Sequence, residues 1–240
     1  MAQEPSSLHN PYAGVPFAWQ LTETVQDFLE RLPPATTDWT PLCPWIYICN
    51  PFIRRVPRDQ GENQLSKGNE DEAPTEEGSR LLYVTEGALE RLHILADVIG
   101  RIEGSGAQKF AVAKAVEKER SRAALDILHL AHVGKVRTGK WMLFCQVADV
   151  NDIWETVAKA TANNELGIAA KVAPRALDQD PRRERLVCIY TQDFADKADV
   201  RRVLEKLREL RLVDGRRRPI YYKPDHETKL LIINTVSKDL

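Results

Sequence analysis

The sequence lacks the patterns that identify several broad classes of protein. No apolar run approaches the roughly 20 residues of a membrane-spanning helix, so we expect no membrane association. The first ten residues carry no basic stretch followed by an apolar one. We therefore expect no secretory signal and a cytoplasmic location, with the nucleus as an alternative. No complete catalytic motif occurs, so enzymatic activity is left open and a non-catalytic role is favoured.

Cysteine and histidine are too few and too scattered to indicate a metal site. The four cysteines show no CxxC spacing, and the five histidines form no HExxH motif. Zinc sites need such clusters, and disulfides are not expected in a protein without a secretory signal. His129 and His132 are three residues apart on one helix face, where core or surface histidines are commoner than a metal pair. We expect neither a metal nor a cofactor.

The net charge of −1 conceals an uneven distribution along the chain. Residues 1–134 hold 13 basic and 19 acidic residues, whereas residues 135–240 hold 21 basic and 16 acidic residues. A basic surface favours phosphate-bearing partners, although an ordinary solvated surface would look the same in sequence. The basic half contains five arginines that could follow a nucleic-acid backbone: Arg182, Arg183, Arg216, Arg217 and Arg218.

The composition predicts one α+β domain with two polar segments. Residues 1–15 are rich in proline, serine and asparagine, and we expect them to be disordered, with a single domain over residues 16–240. Residues 59–79 are acidic and almost free of large apolar side chains, which predicts a disordered insertion. Residues 85–132 carry apolar side chains at helical spacing and predict a helical segment.

Strand and helix patterns alternate along the rest of the chain. A short helix is predicted over 22–32, where Thr24 and Asp27 have capping spacing, and a strand over 44–52. After Gly139 the order is β-α-β-β-α-β-β, with helices beginning at Asp149 and Asp193 and a last strand over 229–234. Helices that return to one face of a mainly antiparallel sheet give an α+β layer.

A polar segment near the C-terminus, residues 222–228, has the composition of a binding site. Lys223 and Asp225 could simply form an exposed ion pair. Alternatively, Lys223 binds a phosphate or carboxylate, and Asp225 and Thr228 orient the ligand. Tyr222 belongs to the same segment, either as a core residue or at the rim of a cleft. The segment therefore supplies four candidate ligand-binding residues.

Two further candidates lie on predicted strands. Lys171 either points to solvent at a sheet edge or reaches an anion in a cleft. Tyr190 either fills the core or presents its hydroxyl at the rim of the site. The complete set of candidate ligand-binding residues is Lys171, Tyr190, Tyr222, Lys223, Asp225 and Thr228.

Several stretches together resemble the basophilic leukaemia-expressed protein family, also known as domain of unknown function 1917. They are 139–144, 166–167, 170–172, 190–194 with Asp196, the helix at 200–210, and 222–225 with Thr228. The resemblance is best over residues 135–235. It implies the fold of the cap-binding translation initiation factor 4E, a curved and mainly antiparallel sheet with helices on its convex face and a concave binding face.

The resemblance does not imply cap binding. That factor holds a methylated guanine between two tryptophans, and this kind of stacking needs two facing indoles. The segments that follow Phe144 and Pro174 contain no tryptophan, and Trp19, Trp39 and Trp45 lie outside the matched region. Fold alone does not fix function, so the ligand stays open.

Three functions remain. The favoured one is a non-catalytic protein associated with RNA or a nucleotide, whose partner is RNA or a phosphate-bearing small molecule. The first alternative is a protein-interaction module that uses residues 85–132 or the acidic insertion. The second is an enzyme acting on a small phosphorylated or nucleotide substrate, with Asp225 or His226 as acid or base and Lys171 and Lys223 holding the anion.

Overall fold

The computed structural model describes residues 8–56, 73–176, 184–213 and 220–224. The helices are α1 (Val25–Arg31), α2 (Leu81–Glu103), α3 (Lys109–Val133), α4 (Val150–Ala162) and α5 (Lys197–Glu209). The strands are β1 (Ile46–Cys49), β2 (Gly139–Cys145), β3 (Ala169–Val172), β4 (Arg185–Thr191) and β5 (Tyr221–Pro224). Several predicted features lie outside the described residues: Arg182, Arg183, Arg216, Arg217, Arg218, Asp225, His226, Thr228, the last strand and residues 59–72 of the insertion.

The five strands form one curved antiparallel sheet in the order β1-β3-β4-β2-β5. Helix α4 packs on β1, β3 and β4, helix α5 packs on β4, and α1 packs on α4. Helices α1, α4 and α5 therefore cover the convex face of the sheet, and the predicted α+β class is confirmed.

The main core lies between this sheet and its helices. Trp154 of α4 is completely buried and meets the ring of Phe28 edge-on, with 6.4 Å between ring centroids. Trp141 of β2 donates a 3.2 Å hydrogen bond from its indole Nε1 to the carbonyl oxygen of Val200 at the start of α5. Both tryptophans are buried, Trp141 on a strand and Trp154 on a helix.

The helix ends agree with the sequence at α1 and differ at α4. Thr24 caps α1 through a complete capping box with Asp27, as predicted. Asp149 occupies the N-cap position of α4, but its side chain makes no capping hydrogen bond because its backbone is already close to helical. Asp196 caps α5 by accepting hydrogen bonds from the backbone N–H groups of Ala198 and Asp199.

The ends of both predicted disordered segments pack against the domain. In the N-terminal segment, Tyr12 is buried and stacks on Tyr47 of β1 at 5.0 Å between ring centroids. At the end of the insertion, the carbonyl oxygen of Thr75 accepts a 3.0 Å hydrogen bond from Val56, and Pro74 is buried. Composition did not predict these contacts because it averages over a whole segment. Single buried residues such as Tyr12 and Pro74 can still pack against the domain within a polar stretch.

Helices α2 and α3 form a hairpin that packs mainly on itself. Its base closes through a 2.8 Å hydrogen bond from the N–H of Arg80 to the carbonyl oxygen of Gly134. An ion pair of 2.7 Å between Arg91 and Asp126 joins the two helices further along. No helix in the described ranges is long and apolar enough to cross a bilayer.

Candidate functional site

Strand alternation divides the sheet into a helix-covered face and a second face that carries lysines. Lys140 of β2 lies opposite Tyr190 of β4 on one side and Lys223 of β5 on the other. Ala169 of β3 also lies opposite Tyr190, and Lys171 follows two residues later on the same face. We call Trp45, Lys140, Lys171, Tyr190 and Lys223 the lysine face.

Two lysines of this face are buried beside aromatic rings. Lys171 is 2% exposed and Lys140 is 5% exposed. The Nζ atom of Lys171 lies 4.0 Å from the centroid of Trp45, just before β1, and 5.8 Å from that of Tyr190. The Nζ atom of Lys140 also lies 5.8 Å from the Tyr190 centroid. Because burial penalises an ammonium group, the negative faces of these rings contribute to holding both charges.

Main-chain packing fixes the position of Tyr190. Its carbonyl oxygen accepts a 2.8 Å hydrogen bond from the N–H of Ile168, and a Cβ atom on Gly167 would lie 1.8 Å from the same oxygen. Asn50 donates hydrogen bonds to the Gly167 carbonyl oxygen and to Asn164 Oδ1, at 3.1 and 2.8 Å. Close approach of backbone to backbone therefore positions the ring that both lysines share.

Tyr222 lies on the opposite face from the lysines. It lies across from Trp141 in the register, and the two ring centroids are 4.8 Å apart. Its hydroxyl lies 2.7 Å from Thr191 Oγ1, and burial raises the pKa of Tyr222 to about 12. Among the six predicted ligand-binding residues, Tyr222 is thus a packing residue on the helix side of the sheet.

The structure brings three of the predicted residues onto one face: Lys171, Tyr190 and Lys223. Lys223 lies within β5, so this part of the predicted polar segment is a strand. Asp225 and Thr228, like the five predicted backbone-binding arginines, lie outside the described residues.

Sequence reasoning missed Lys140 and Trp45. The signal for Lys140 was strand alternation, which places it on the face opposite the core residue Trp141. Trp45 lies outside the region of family resemblance, so the sequence does not indicate it as a site residue. Strand pairing nevertheless brings it to Lys171 from 126 positions away in the chain.

The chemistry of this face suits an anion. Of the strand residues that the structure describes on it, none is acidic and three are lysines. Within the described ranges, no group of three or more His, Cys, Asp or Glu is placed to hold a metal ion. His132, one of the two histidines considered above, lies 3.1 Å from Asp193 Oδ2 through its Nε2 atom.

Comparison with known proteins finds a distant structural neighbour and identifies the family. The chain is similar to C. elegans eIF4E-3 in its complex with the 4E-binding protein Mextli and a cap analog, at 15% sequence identity and a TM-score of 0.33. The match covers 40% of this chain and 54% of that one, and at this overlap it says nothing about what the present chain binds. The family model described as Basophilic leukemia-expressed protein Bles03 matches residues 1–230, so the chain belongs to the Bles03 family that its sequence resembled.

Proposed function

We propose that this chain is a non-catalytic binding protein whose lysine face takes a phosphate-bearing ligand, either RNA or a nucleotide. The observation that supports this most is the burial of two lysines, Lys140 and Lys171, against the single ring of Tyr190. The two lysines flank this ring from the neighbouring strands β2 and β3. A phosphate group that reaches either ammonium group would gain charge-assisted hydrogen bonds.

The aromatic residues of the face favour a ligand that also carries a base. Trp45 is half-buried and lies beside the Lys171 ammonium group. Single-stranded nucleic acids bind proteins through backbone contacts to cations together with stacking of bases on aromatic rings. Lys223, next to Lys140 across the β2–β5 pair, extends the row of cations toward the sheet edge.

Binding of a fluorescent oligouridylate and of nucleoside triphosphates over a salt series tests this proposal. We expect Lys171→Met and Lys140→Met each to weaken binding about tenfold, since each loses one charge-assisted contact. The matched control is Lys159→Met, because Lys159 is an exposed lysine on α4, on the helix side of the sheet, and pairs with Glu155. Each lost phosphate contact should lower the slope of log K against log salt by about 0.7.

The outcomes are distinct. Binding of the triphosphates alone would restrict the ligand to nucleotides, and binding that grows with oligonucleotide length would indicate RNA. Absence of binding at low salt, in protein whose circular dichroism and melting temperature are normal, would remove the proposal. Equal losses in Lys159→Met and Lys171→Met would show general charge attraction and would also remove it.

A second candidate, a protein-interaction module, is favoured by the surface of the α2–α3 hairpin. Six large apolar side chains of this hairpin are exposed: Leu82, Tyr83, Ile94, Phe110, Leu125 and Val133. Exposed apolar groups of this kind are common at protein contacts when they lie close together. A partner that is retained after nuclease treatment, and lost in Phe110→Ser with Leu125→Ser, would support this function. The enzyme hypothesis depends on Asp225 and His226 and has no supporting observation among the described residues.

A further inference from the structure

A cleft of about 730 Å³ lies at the end of the sheet where β4 ends and the connection from α3 enters β2. Its walls come from separate parts of the chain: the segment after β1, the segment before α2, the α3–β2 connection and the residue after β4. The residues that line it include Arg54, Arg55, Glu76, Glu77, Lys135 and Gln192. None of them belongs to the lysine face.

Arg55 is the buried charge of this cleft. Arg55 is only 6% exposed, whereas the neighbouring lining residues Arg54, Lys135 and Gln192 are exposed. Its Nε and Nη2 atoms are buried, and neither has a hydrogen-bond partner in the part of the chain that the structure describes. A buried guanidinium in this state is costly, and burial lowers the pKa of Arg55 despite the nearby Glu76 carboxylate.

The two atoms form one edge of the guanidinium, the edge that matches the two oxygens of a carboxylate or phosphate. Other arginines of this chain fill the same edge with a carboxylate of their own. Arg31 donates from Nε and Nη2 to the two oxygens of Glu23, at 3.0 and 2.6 Å. Arg137 donates from the same two atoms to Glu76.

The carboxylate nearest to Arg55 is already committed. Both oxygens of Glu76 accept hydrogen bonds from Arg137. Glu76 therefore acts on Arg55 through its negative charge, and not through a hydrogen bond to the Nε or Nη2 atom of Arg55. Lys135 donates a 3.2 Å hydrogen bond to the backbone carbonyl oxygen of Glu77, which is a neutral acceptor. With Arg54 added, the lining is positive overall.

We propose that this cleft is a second anion site: the Nε–Nη2 edge of Arg55, which is buried when no ligand is bound, turns toward a carboxylate or phosphate oxyanion in the cleft and holds it in a two-point contact. Arg54 and Lys135 attract the ligand to the opening, and the side-chain amide of Gln192 is available at the rim. The site takes a small molecule or a group on a larger one that carries a planar carboxylate or a phosphate. It does not depend on the ligand of the lysine face.

The test measures the melting temperature of the full chain against inorganic phosphate and, separately, against acetate, with sodium chloride holding ionic strength constant. We expect the wild-type melting temperature to rise with at least one of the two anions, by linkage to binding. A response to phosphate with little response to acetate identifies a phosphate site, and the reverse identifies a carboxylate site.

Three variants make the test specific to Arg55. Arg55→Met, made together with Lys171→Met so that the lysine face does not contribute, should abolish the anion response. Arg55→Met alone should leave the anion-free protein as stable as the wild type or more stable, because it removes a buried charge whose Nε and Nη2 atoms lack hydrogen bonds. Arg55→Lys keeps the charge without the two-point edge and should weaken binding about tenfold. Arg54→Met, the neighbouring exposed arginine, should change the anion affinity less than threefold.

Three results would overturn the proposal. The first is a wild-type protein whose melting temperature responds to neither anion. The second is an equal loss of response in Arg54→Met and Arg55→Met, which would reflect general charge. The third is a marked fall in the melting temperature of anion-free Arg55→Met, which would mean that a group of the chain itself fills the edge. Lys171→Met should keep the anion response within twofold. The experiment therefore distinguishes a failure of the proposed Arg55 site from a failure of the proposed function of the lysine face.

Discussion

Gly167 brings two backbone segments of the candidate site closer together than any side chain would allow. A Cβ atom at this position would lie 1.8 Å from the carbonyl oxygen of Tyr190, which is a backbone atom that cannot rotate away. The N–H of the next residue, Ile168, donates a 2.8 Å hydrogen bond to that same oxygen and so fixes the approach of the two segments. The position of the Tyr190 ring, and therefore of both lysines that contact it, depends on the absence of a side chain at residue 167.

Gly167→Ala should therefore destabilise the protein by about 1–3 kcal/mol through overpacking and should weaken ligand binding by displacing Tyr190. Urea unfolding followed by tryptophan fluorescence measures the first effect, and the oligouridylate assay measures the second. Gly100→Ala is the matched control, because nothing lies within 4 Å of a Cβ atom there. Within helix α2 this change should stabilise the protein by about 0.5–1 kcal/mol. Equal unfolding free energies for the two variants would refute the role of Gly167.

Tyr222 makes stability sensitive to alkaline pH. Burial raises its pKa from 10.0 to about 12, so the folded state favours the neutral phenol. This contribution is complete below pH 10 and is lost as pH rises toward 12. Tyr222→Phe removes the hydrogen bond to Thr191 at neutral pH, at a cost of about 1 kcal/mol, but also removes the alkaline loss.

The pH dependence assigned to Tyr222 is checked by measuring the unfolding free energies of the wild type and of Tyr222→Phe between pH 8 and pH 12. The advantage of the wild type over Tyr222→Phe should shrink above pH 10. Burial also raises the pKa of Cys43 to about 11 and that of Cys49 to about 12, so both proteins should lose stability from pH 9 upward. The difference between the two curves isolates Tyr222, and a difference that stays constant with pH would contradict the assignment.

At the scale of elements, two aspartates that look alike in sequence have different roles. Asp149 and Asp196 each precede a helix, and each is followed three residues later by another aspartate. The Asp196 side chain accepts hydrogen bonds from two backbone N–H groups of α5, at 3.0 and 3.1 Å. The Asp149 side chain accepts none, because its backbone is not in the extended conformation that a capping residue needs.

Asp196→Ala should cost about 1 kcal/mol of unfolding free energy, whereas Asp149→Ala should cost less than about 0.5 kcal/mol. Both side chains are exposed, so neither substitution opens a cavity and the comparison reports capping alone. Thermal unfolding at neutral pH measures both. Equal costs would mean that attraction to the helix dipole, and not the capping hydrogen bonds, sets the contribution of these residues.

Periodicity and end signals predicted the existence and type of every helix and strand that the structure describes, because these depend on residues close together in sequence. They could not supply the sheet order β1-β3-β4-β2-β5, in which β1 joins a sheet whose other strands come almost a hundred residues later. Register decides which side chains share a face. Tyr222 and Lys223 are adjacent in the polar segment and therefore looked like one site, but the pleat sends them to opposite faces.

Arg55 shows the same limit in another form. In sequence it is one of two adjacent arginines before an acidic stretch, which reads as solvated surface. Burial of one and exposure of the other follow from the packing of distant segments around the cleft. No local signal distinguishes an arginine whose Nε–Nη2 edge is filled from one whose edge is buried without a hydrogen bond.

At the scale of the whole molecule, the two candidate anion sites and the α2–α3 hairpin belong to different structural units. The lysine face is built on the sheet, and the second site lies at the sheet end. The hairpin buries its apolar residues mostly between its own helices; the buried ones are Val84, Ala88, Val116, Ala123, Ile127 and Ala131. Its two ends meet at the hydrogen bond between Arg80 and Gly134, so the sheet domain does not need the far half of the hairpin to close.

Removal of residues 93–122 and their replacement by a short glycine-serine turn should therefore leave the sheet domain folded. The shortened hairpin keeps Val84 and Ala131, the buried residues nearest its base, as well as the ion pair between Arg91 and Asp126. We expect anion and oligouridylate binding within twofold of the wild type, because neither site includes the deleted residues. A protein partner that docks on the exposed apolar side chains would lose Ile94 and Phe110 and should no longer be retained. If the truncation abolishes oligouridylate binding while near-UV circular dichroism stays native, the ligand contacts the hairpin, and the assignment of the site to the lysine face is wrong.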